Sequence, residues 1–134
     1  MSDVIVLMST YNGEKYIAEQ IDSIYNQDFD GSIQILIRDD GSKDHTKEII
    51  KQYENTPRRN IQLIEENNVG PQRSFLKLIQ AADEAKFYFF SDQDDFWYAD
   101  KIRRAVRQIG NKEEPVCYCS NYDIYNTQLK IKNR

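Results

Sequence analysis

The strongest constraint on the fold is a repeated alternation: an apolar, strand-like run gives way to a stretch with helical period, and the cycle then starts again. Asp3 to Ser9 (DVIVLMS) is nearly continuous in β-branched and apolar residues, the pattern of a strand covered on both faces in a parallel sheet. From Glu14 the period turns helical, with Ile17, Ile21, Ile24 and Tyr25 on one stripe. A second strand, Ile33 to Arg38, leads to a helix that carries Ile49, Ile50 and Tyr53 inward, capped by Ser42 or Asp44 and ended before Pro57. Asn60 to Glu65 alternates more, as an edge strand does, and Pro71 then opens a helix with Phe75, Leu78, Ile79 and Ala82 as its stripe. Lys86 to Ser91 is an aromatic-rich fourth strand. A helix from about Asp100 follows, with Ile102, Ala105, Val106 and Ile109 inward and Gly110 as its stop. Val116 to about Tyr125 reads as a fifth strand. Such alternation specifies an α/β fold with an open, mainly parallel sheet flanked by helices.

The polar motifs fall at one end of these strands. Thr10-Tyr11-Asn12 follows the first, Asp39-Asp40-Gly41-Ser42 the second, Asn68-x-Gly70 the third, and Asp92-x-Asp94-Asp95 the fourth. With strand order 3-2-1-4 the crevice opens between strands one and four, and one ligand could touch the Thr10 loop, Asp40 and the acidic cluster together. Three carboxylates within four residues repel one another unless a cation sits among them. Hard oxygen donors suit magnesium, manganese or calcium better than zinc. An EF-hand fits badly, because counting from Asp92 its sixth position is Trp97 instead of Gly and its twelfth is Arg103 instead of Glu. The glycine fingerprint of dinucleotide sites and the P-loop are both missing, since TYNGEKY holds a single Gly. A metal held by Asp92 and Asp94 would bridge phosphates, Asp40 would accept from a base N–H or a ribose hydroxyl, and Tyr11 would offer an aromatic face. Trp97 reads as a packed anchor and Arg73 as a solvated helix residue.

Composition narrows the rest. At 134 residues, with 40% apolar and 30% charged residues, the expectation is one soluble domain. A net charge of -4 gives no reason to expect nucleic acid, and the basic end, Lys130 to Arg134, reads as a frayed or cut terminus. The apolar run Val4 to Met8 is too short for a signal peptide or a span, which makes cytoplasmic residence the default. Cys117 and Cys119 read as buried free thiols on one face of a strand.

The set STYNGEKYI, IRDDGSKDHT, NNVG and FSDQDDFW, in this order and spacing, resembles the N-terminal half of inverting glycosyltransferases of family 2, which have the GT-A nucleotide-sugar fold (Rossmann-like). The likeness covers residues 3 to about 125. It implies that Thr10, Tyr11, Asn12, Asp39, Asp40, Gly70, Asp92 and Asp95 bind the nucleotide sugar, with Asp40 on the base and Asp39 supporting that loop. It also implies that Asp92 and Asp94, the family's DxD motif, hold Mn or Mg. SDQDD-x-W is similar to the variant in bacterial rhamnosyltransferases of surface polysaccharide synthesis. Two departures stand out. Ser74-Phe75 replaces an Arg-Asn common in the family, and the family's catalytic Asp belongs to a later, acceptor-side segment, expected beyond Arg134. Residues 1–134 thus read as a single donor-binding domain, a fragment whose parent transfers a sugar to a glycan or lipid-linked acceptor at the inner face of the membrane. By itself the fragment is expected to bind donor without transferring it, and to form a homodimer through an exposed sheet edge. The rival readings are a non-catalytic nucleotide-binding scaffold and a metal-dependent nucleotidyltransferase.

Overall fold

The computed structural model describes residues 2–54, 56, 60–111, 113–118, 124–125 and 131–133. In chain order the elements are β1 (Ser2–Thr10), α1 (Ile17–Tyr25), β2 (Ile33–Asp39), α2 (Thr46–Glu54), β3 (Asn60–Glu65), α3 (Pro71–Ala81), β4 (Ala85–Asp92), α4 (Lys101–Ile109), β5 (Ile124–Tyr125) and β6 (Ile131–Asn133). Two compact units are distinguished, Met1–Arg103 and Arg104–Arg134.

In the first unit, four strands form a parallel sheet in the order β3-β2-β1-β4. β1 lies at its centre, and Val4 to Met8 are all buried. Strand alternation divides these residues between the two faces. Ile5 and Leu7 join Leu36 and Leu78 under α3, with Phe75 and Ala82 packed against them. Val4, Val6, Met8, Ile35 and Ile37 lie on the opposite face, where the chain supplies the buried Ile17, Ile21 and Ile24 of α1 and Ile50 of α2. α1 and α2 are tied together by the Tyr53 hydroxyl, which donates to the Ala18 carbonyl and to Asp22 Oδ1.

Several expected features differ in the structure. Ile79 is half exposed, because the inward face of α3 centres on Ser74 and Leu78 and turns Ile79 away. Tyr25, Ile49, Tyr53, Val106 and Ile109 are only partly covered. Asp44 and not Ser42 serves α2, with Asp44 Oδ1 accepting from Thr46 N at 2.9 Å. Trp97 is indeed packed, against Phe89, and Arg73 is exposed.

In the second unit, the fifth strand expected over Val116 to Tyr125 is not continuous. Residues 116–118 form no strand, residues 119–123 lie outside the described residues, and the two-residue β5 pairs antiparallel with β6. A strand exists only where a neighbour completes its ladder, and β6 is so short that it supports two residues. Part of the basic end expected to fray is thus β6. Cys117 is exposed, since outside a sheet it has no covered face to join. Cys119 lies outside the described residues.

Candidate functional site

The C-terminal ends of β1, β2 and β4 place the sequence-predicted residues on one edge of the sheet. Asp39 and Asp40 are adjacent, so the strand period sends them to opposite faces, and both are buried. On the α1/α2 face, Asp39 Oδ1 accepts from the Thr10 hydroxyl at 2.8 Å and the Ser42 hydroxyl at 2.6 Å, and Oδ2 accepts from Ser42 N at 2.8 Å. Thr10 is fully buried by this contact. On the α3 face, Asp40 Oδ1 accepts from Arg38 Nη1 at 2.7 Å and Val69 N at 2.8 Å, while Oδ2 accepts from Gly70 N at 3.1 Å. Gly70, at φ +89°, precedes Pro71 in the first turn of α3, and this left-handed backbone suits glycine. The carboxylate of Asp40 thereby also complements the positive end of that helix.

Arg38 is a buried residue of this edge that sequence reading missed. Its guanidinium is buried, and all three of its nitrogens are engaged: besides Asp40 it donates to Ser74 Oγ at 3.0 Å, Glu66 Oε1 at 3.2 Å and the Asn67 carbonyl at 3.0 Å. Position 38 continues the α3-facing series from Leu36, and a charge at an inward strand position beside Asp-Asp is the signal that could have found it. The departure at Ser74 has a place in the same network, because Ser74 Oγ also accepts from the Ser9 hydroxyl at 2.6 Å.

The loop after β1 is held by side chains of the next loop. Asn12 N donates to Ser42 Oγ, Asn12 Oδ1 accepts from Lys43 N, and Gly13 N donates to Thr46 Oγ1. Asn12 takes φ +48°, which Asn tolerates better than most residues. Tyr11 stays 43% exposed, with its ring free of the core.

The acidic turn is built differently. Asp92 ends β4 opposite Ser9 on the α3 face, and Asp95 N closes the turn onto the Asp92 carbonyl at 3.3 Å. Asp92, Asp94 and Asp95 are all exposed. Partial desolvation, and then the negative charges of Asp92 and Asp94, hold the Asp95 carboxyl above the ordinary carboxylate range. Among the described residues no three His, Cys, Asp or Glu side chains converge into a ready-made cage. Two hard carboxylates are nevertheless the protein share expected of an octahedral cation that takes its other ligands from water and phosphate. Beside them lies a shallow cavity of about 230 Å³ lined by Phe75, Phe90, Ser91, Asp92 and Asp95. A larger cavity of about 380 Å³ sits between α1 and Phe96 to Ala99, and none of the sequence-predicted ligand residues lines it.

Two glutamines, the buried Gln20 of α1 and the half-buried Gln27 just past its end, were also missed and anchor the segment after β4. Gln20 is fully buried on the isoleucine stripe. With its amide oxygen toward Trp97 Nε1 (3.3 Å) it also accepts from the Ser91 hydroxyl, while its nitrogen donates to Ser23 Oγ at 2.9 Å and to the Asp95 carbonyl. Gln27 donates to the Tyr98 carbonyl at 2.7 Å and accepts from Ile102 N at 2.9 Å. A polar residue on an otherwise apolar helix stripe is the signal for Gln20.

Fold and site together define an open α/β domain whose strand ends carry a rim of carboxylates. Residues 5–134 match the family described as glycosyl transferase family 2, and the chain belongs to it. The chain is 38% identical over 122 residues to the dTDP-rhamnosyl transferase RfbG of Shigella flexneri, a match that covers 88% of this chain and 42% of that protein. It is 31% identical over 112 residues to the poly(ribitol-phosphate) beta-N-acetylglucosaminyltransferase TarS of Staphylococcus aureus, covering 83% of this chain and 19% of TarS. The chain thus spans less than half the length of these relatives. The structure of TarS in complex with UDP-GlcNAc superposes with a TM-score of 0.70 at 31% identity, over 80% of this chain and 31% of that one. The mannosyltransferase PcManGT of Pyrobaculum calidifontis, in complex with GDP-Man and Mn2+, superposes with a TM-score of 0.74 at 26% identity, over 82% and 33%. These neighbours share the parallel sheet and flanking helices, so the 3-2-1-4 core is that of the GT-A fold.

Proposed function

We propose that this chain is the donor-binding part of an inverting glycosyltransferase that moves a sugar from a nucleoside diphosphate to a glycan or lipid-linked acceptor in surface polysaccharide synthesis. One observation carries the reading: the Thr10-Tyr11-Asn12 loop, the Asp40–Gly70 contact and the exposed acidic turn lie along one edge of the sheet. In this reading Thr10, Tyr11 and Asn12 line the nucleotide, with the exposed Tyr11 ring against the base. Asp40 meets the base through Oδ2, which carries one N–H donor where Oδ1 carries two. Asp39 keeps that loop in place, and Gly70 brings the start of α3 close to the donor. Asp95 accepts from ribose or sugar hydroxyls beside the cavity at Phe75 and Phe90.

Asp92 and Asp94 would hold Mn or Mg, which when bound supplies charge stabilisation to the departing diphosphate. The base that deprotonates the acceptor is assigned to a segment beyond residue 134, so residues 1–134 bind donor and do not transfer it. Proximity to that base and alignment of the acceptor are the contributions they lack. The same reading places the protein on the cytoplasmic side and expects a homodimer, which light scattering checks. Among the described residues no helix is long and apolar enough to cross a membrane.

The test is calorimetric titration with UDP-, GDP- and dTDP-sugars, in manganese and in EDTA. Binding of one nucleotide class that requires the metal is the expected result. Equal affinity in both conditions removes the role given to Asp92 and Asp94. Transfer by residues 1–134 alone, at the rate of a longer parent protein and detected by mass spectrometry, would place the base within this sequence.

A further inference from the structure

Gln93 stands between Asp92 and Asp94, and its side chain turns away from the carboxylates. Its side-chain amide pairs with a main chain 82 residues earlier: Gln93 Oε1 accepts from Tyr11 N at 2.8 Å, and Gln93 Nε2 donates to the Tyr11 carbonyl at 2.8 Å. Both hydrogen-bonding groups of Tyr11 are thereby met by one side chain, as a neighbouring strand would meet them. Gly13 makes room for this approach. A Cβ there would lie 2.2 Å from Gln93 Oε1 and 2.4 Å from its Cδ, and Gly13 has no left-handed backbone that would itself demand glycine. The two motifs are therefore complementary in shape: the glycine of one is the slot for the glutamine of the other.

Satisfaction of the Tyr11 main chain does not account for this arrangement. The contact lies at an exposed position, where water would serve the same N–H and C=O at nearly equal free energy. What water cannot supply is a fixed distance between the Tyr11 ring and the carboxylates on either side of Gln93. We propose that Gln93 is a positioning residue, a clasp that couples the nucleotide-facing Tyr11 loop to the acidic turn, so that ordering either one orders the other. This rests on the donor-site reading above, in which the loop takes the nucleoside and the turn takes the cation-bridged diphosphate.

The experiment compares wild type, Gln93→Met, Gly13→Ala and the double variant. Gln93→Met keeps the length of the side chain and removes both hydrogen bonds; Gly13→Ala keeps Gln93 and blocks its seat. With manganese saturating, nucleoside diphosphate affinity should fall about 5–20-fold in each single variant, the lower part of the range of ordinary site-to-site coupling. The double variant should lose no more than the worse single one, because both changes open the same clasp. Manganese alone, followed by its paramagnetic resonance, should bind all four proteins equally, and the thermal midpoints should stay together. In the absence of any ligand, the Tyr11 amide should exchange with solvent faster in all three variants. Unchanged nucleotide affinity in Gln93→Met, additive losses in the double variant, or a matching fall in affinity for manganese alone would each overturn the clasp. If wild type binds no nucleotide with manganese, the donor reading fails. Tyr11 exchange still decides the clasp in that case, and equal exchange in wild type and variants would overturn it.

Discussion

The two groups of carboxylates at the same sheet edge have opposite surroundings. Asp39 and Asp40 are buried, and between them they receive six hydrogen bonds from Thr10, Ser42, Arg38, Val69 and Gly70. Asp92, Asp94 and Asp95 are exposed, and Asp95 feels the other two mainly as repulsion added to its own desolvation. The first pair is held by donors from the protein; the second meets water and its own like charges. A carboxylate held by several donors keeps the site's shape, even where one lone pair stays open, and one whose partners are like charges is stabilised by a cation.

The largest expected effect attacks the buried pair. Asp40→Ala leaves the buried Arg38 guanidinium without its closest carboxylate and should cost about 3–5 kcal/mol, read by urea or thermal unfolding. A loss no greater than that of a surface substitution would mean that Glu66 and the Asn67 carbonyl neutralise Arg38 without Asp40. Next comes Thr10→Val, which keeps the shape and removes one hydrogen bond to Asp39, for about 1–2 kcal/mol by the same measurement. On the other side of the comparison, Asp94→Ala should leave stability within about 0.5 kcal/mol of wild type or raise it, since it removes one of three repelling charges. The same variant should lose the metal-dependent part of nucleotide binding. A collapse in its thermal midpoint would make Asp94 structural and erase the contrast.

The smallest effect concerns an exposed carboxylate that does have a cationic partner. The hydrogen bond that the His45 ring donates to Glu14, followed by the charge of Glu14, raises the pKa of His45 above the ordinary value of 6.5. The folded state therefore holds the proton more tightly than the unfolded chain, so this contribution is present in full below that value and is lost as pH rises through the folded pKa. Nuclear magnetic resonance of this sole histidine should show its midpoint fall toward the ordinary value in Glu14→Gln.

What could be read without coordinates follows from local periodicity. β3 runs from Asn60 to Glu65 as its alternation specifies, and Pro71 opens α3 because its fixed φ suits a first helical turn. The edge that gathers Thr10, Asp40 and Asp92 was legible for the same reason, since strand ends in a parallel sheet share a side. Cys117 was misplaced because an apolar, strand-like run says nothing about whether a neighbouring strand exists to pair with it. Ile79 was misplaced because a helix stripe read from apolar residues alone is wider than the face the sheet covers.

The sequence by itself determined the order of strands and helices from β1 to α4, the sheet edge that carries the polar motifs, and the family. Only the tertiary structure decided what each polar side chain does there. Thr10 meets Asp39 across 29 residues, Ser74 meets Arg38 across 36, and Gln93 meets Tyr11 across 82. Periodicity is a property of neighbours within one element, whereas a hydrogen bond between elements depends on register and packing, which no single window of sequence contains.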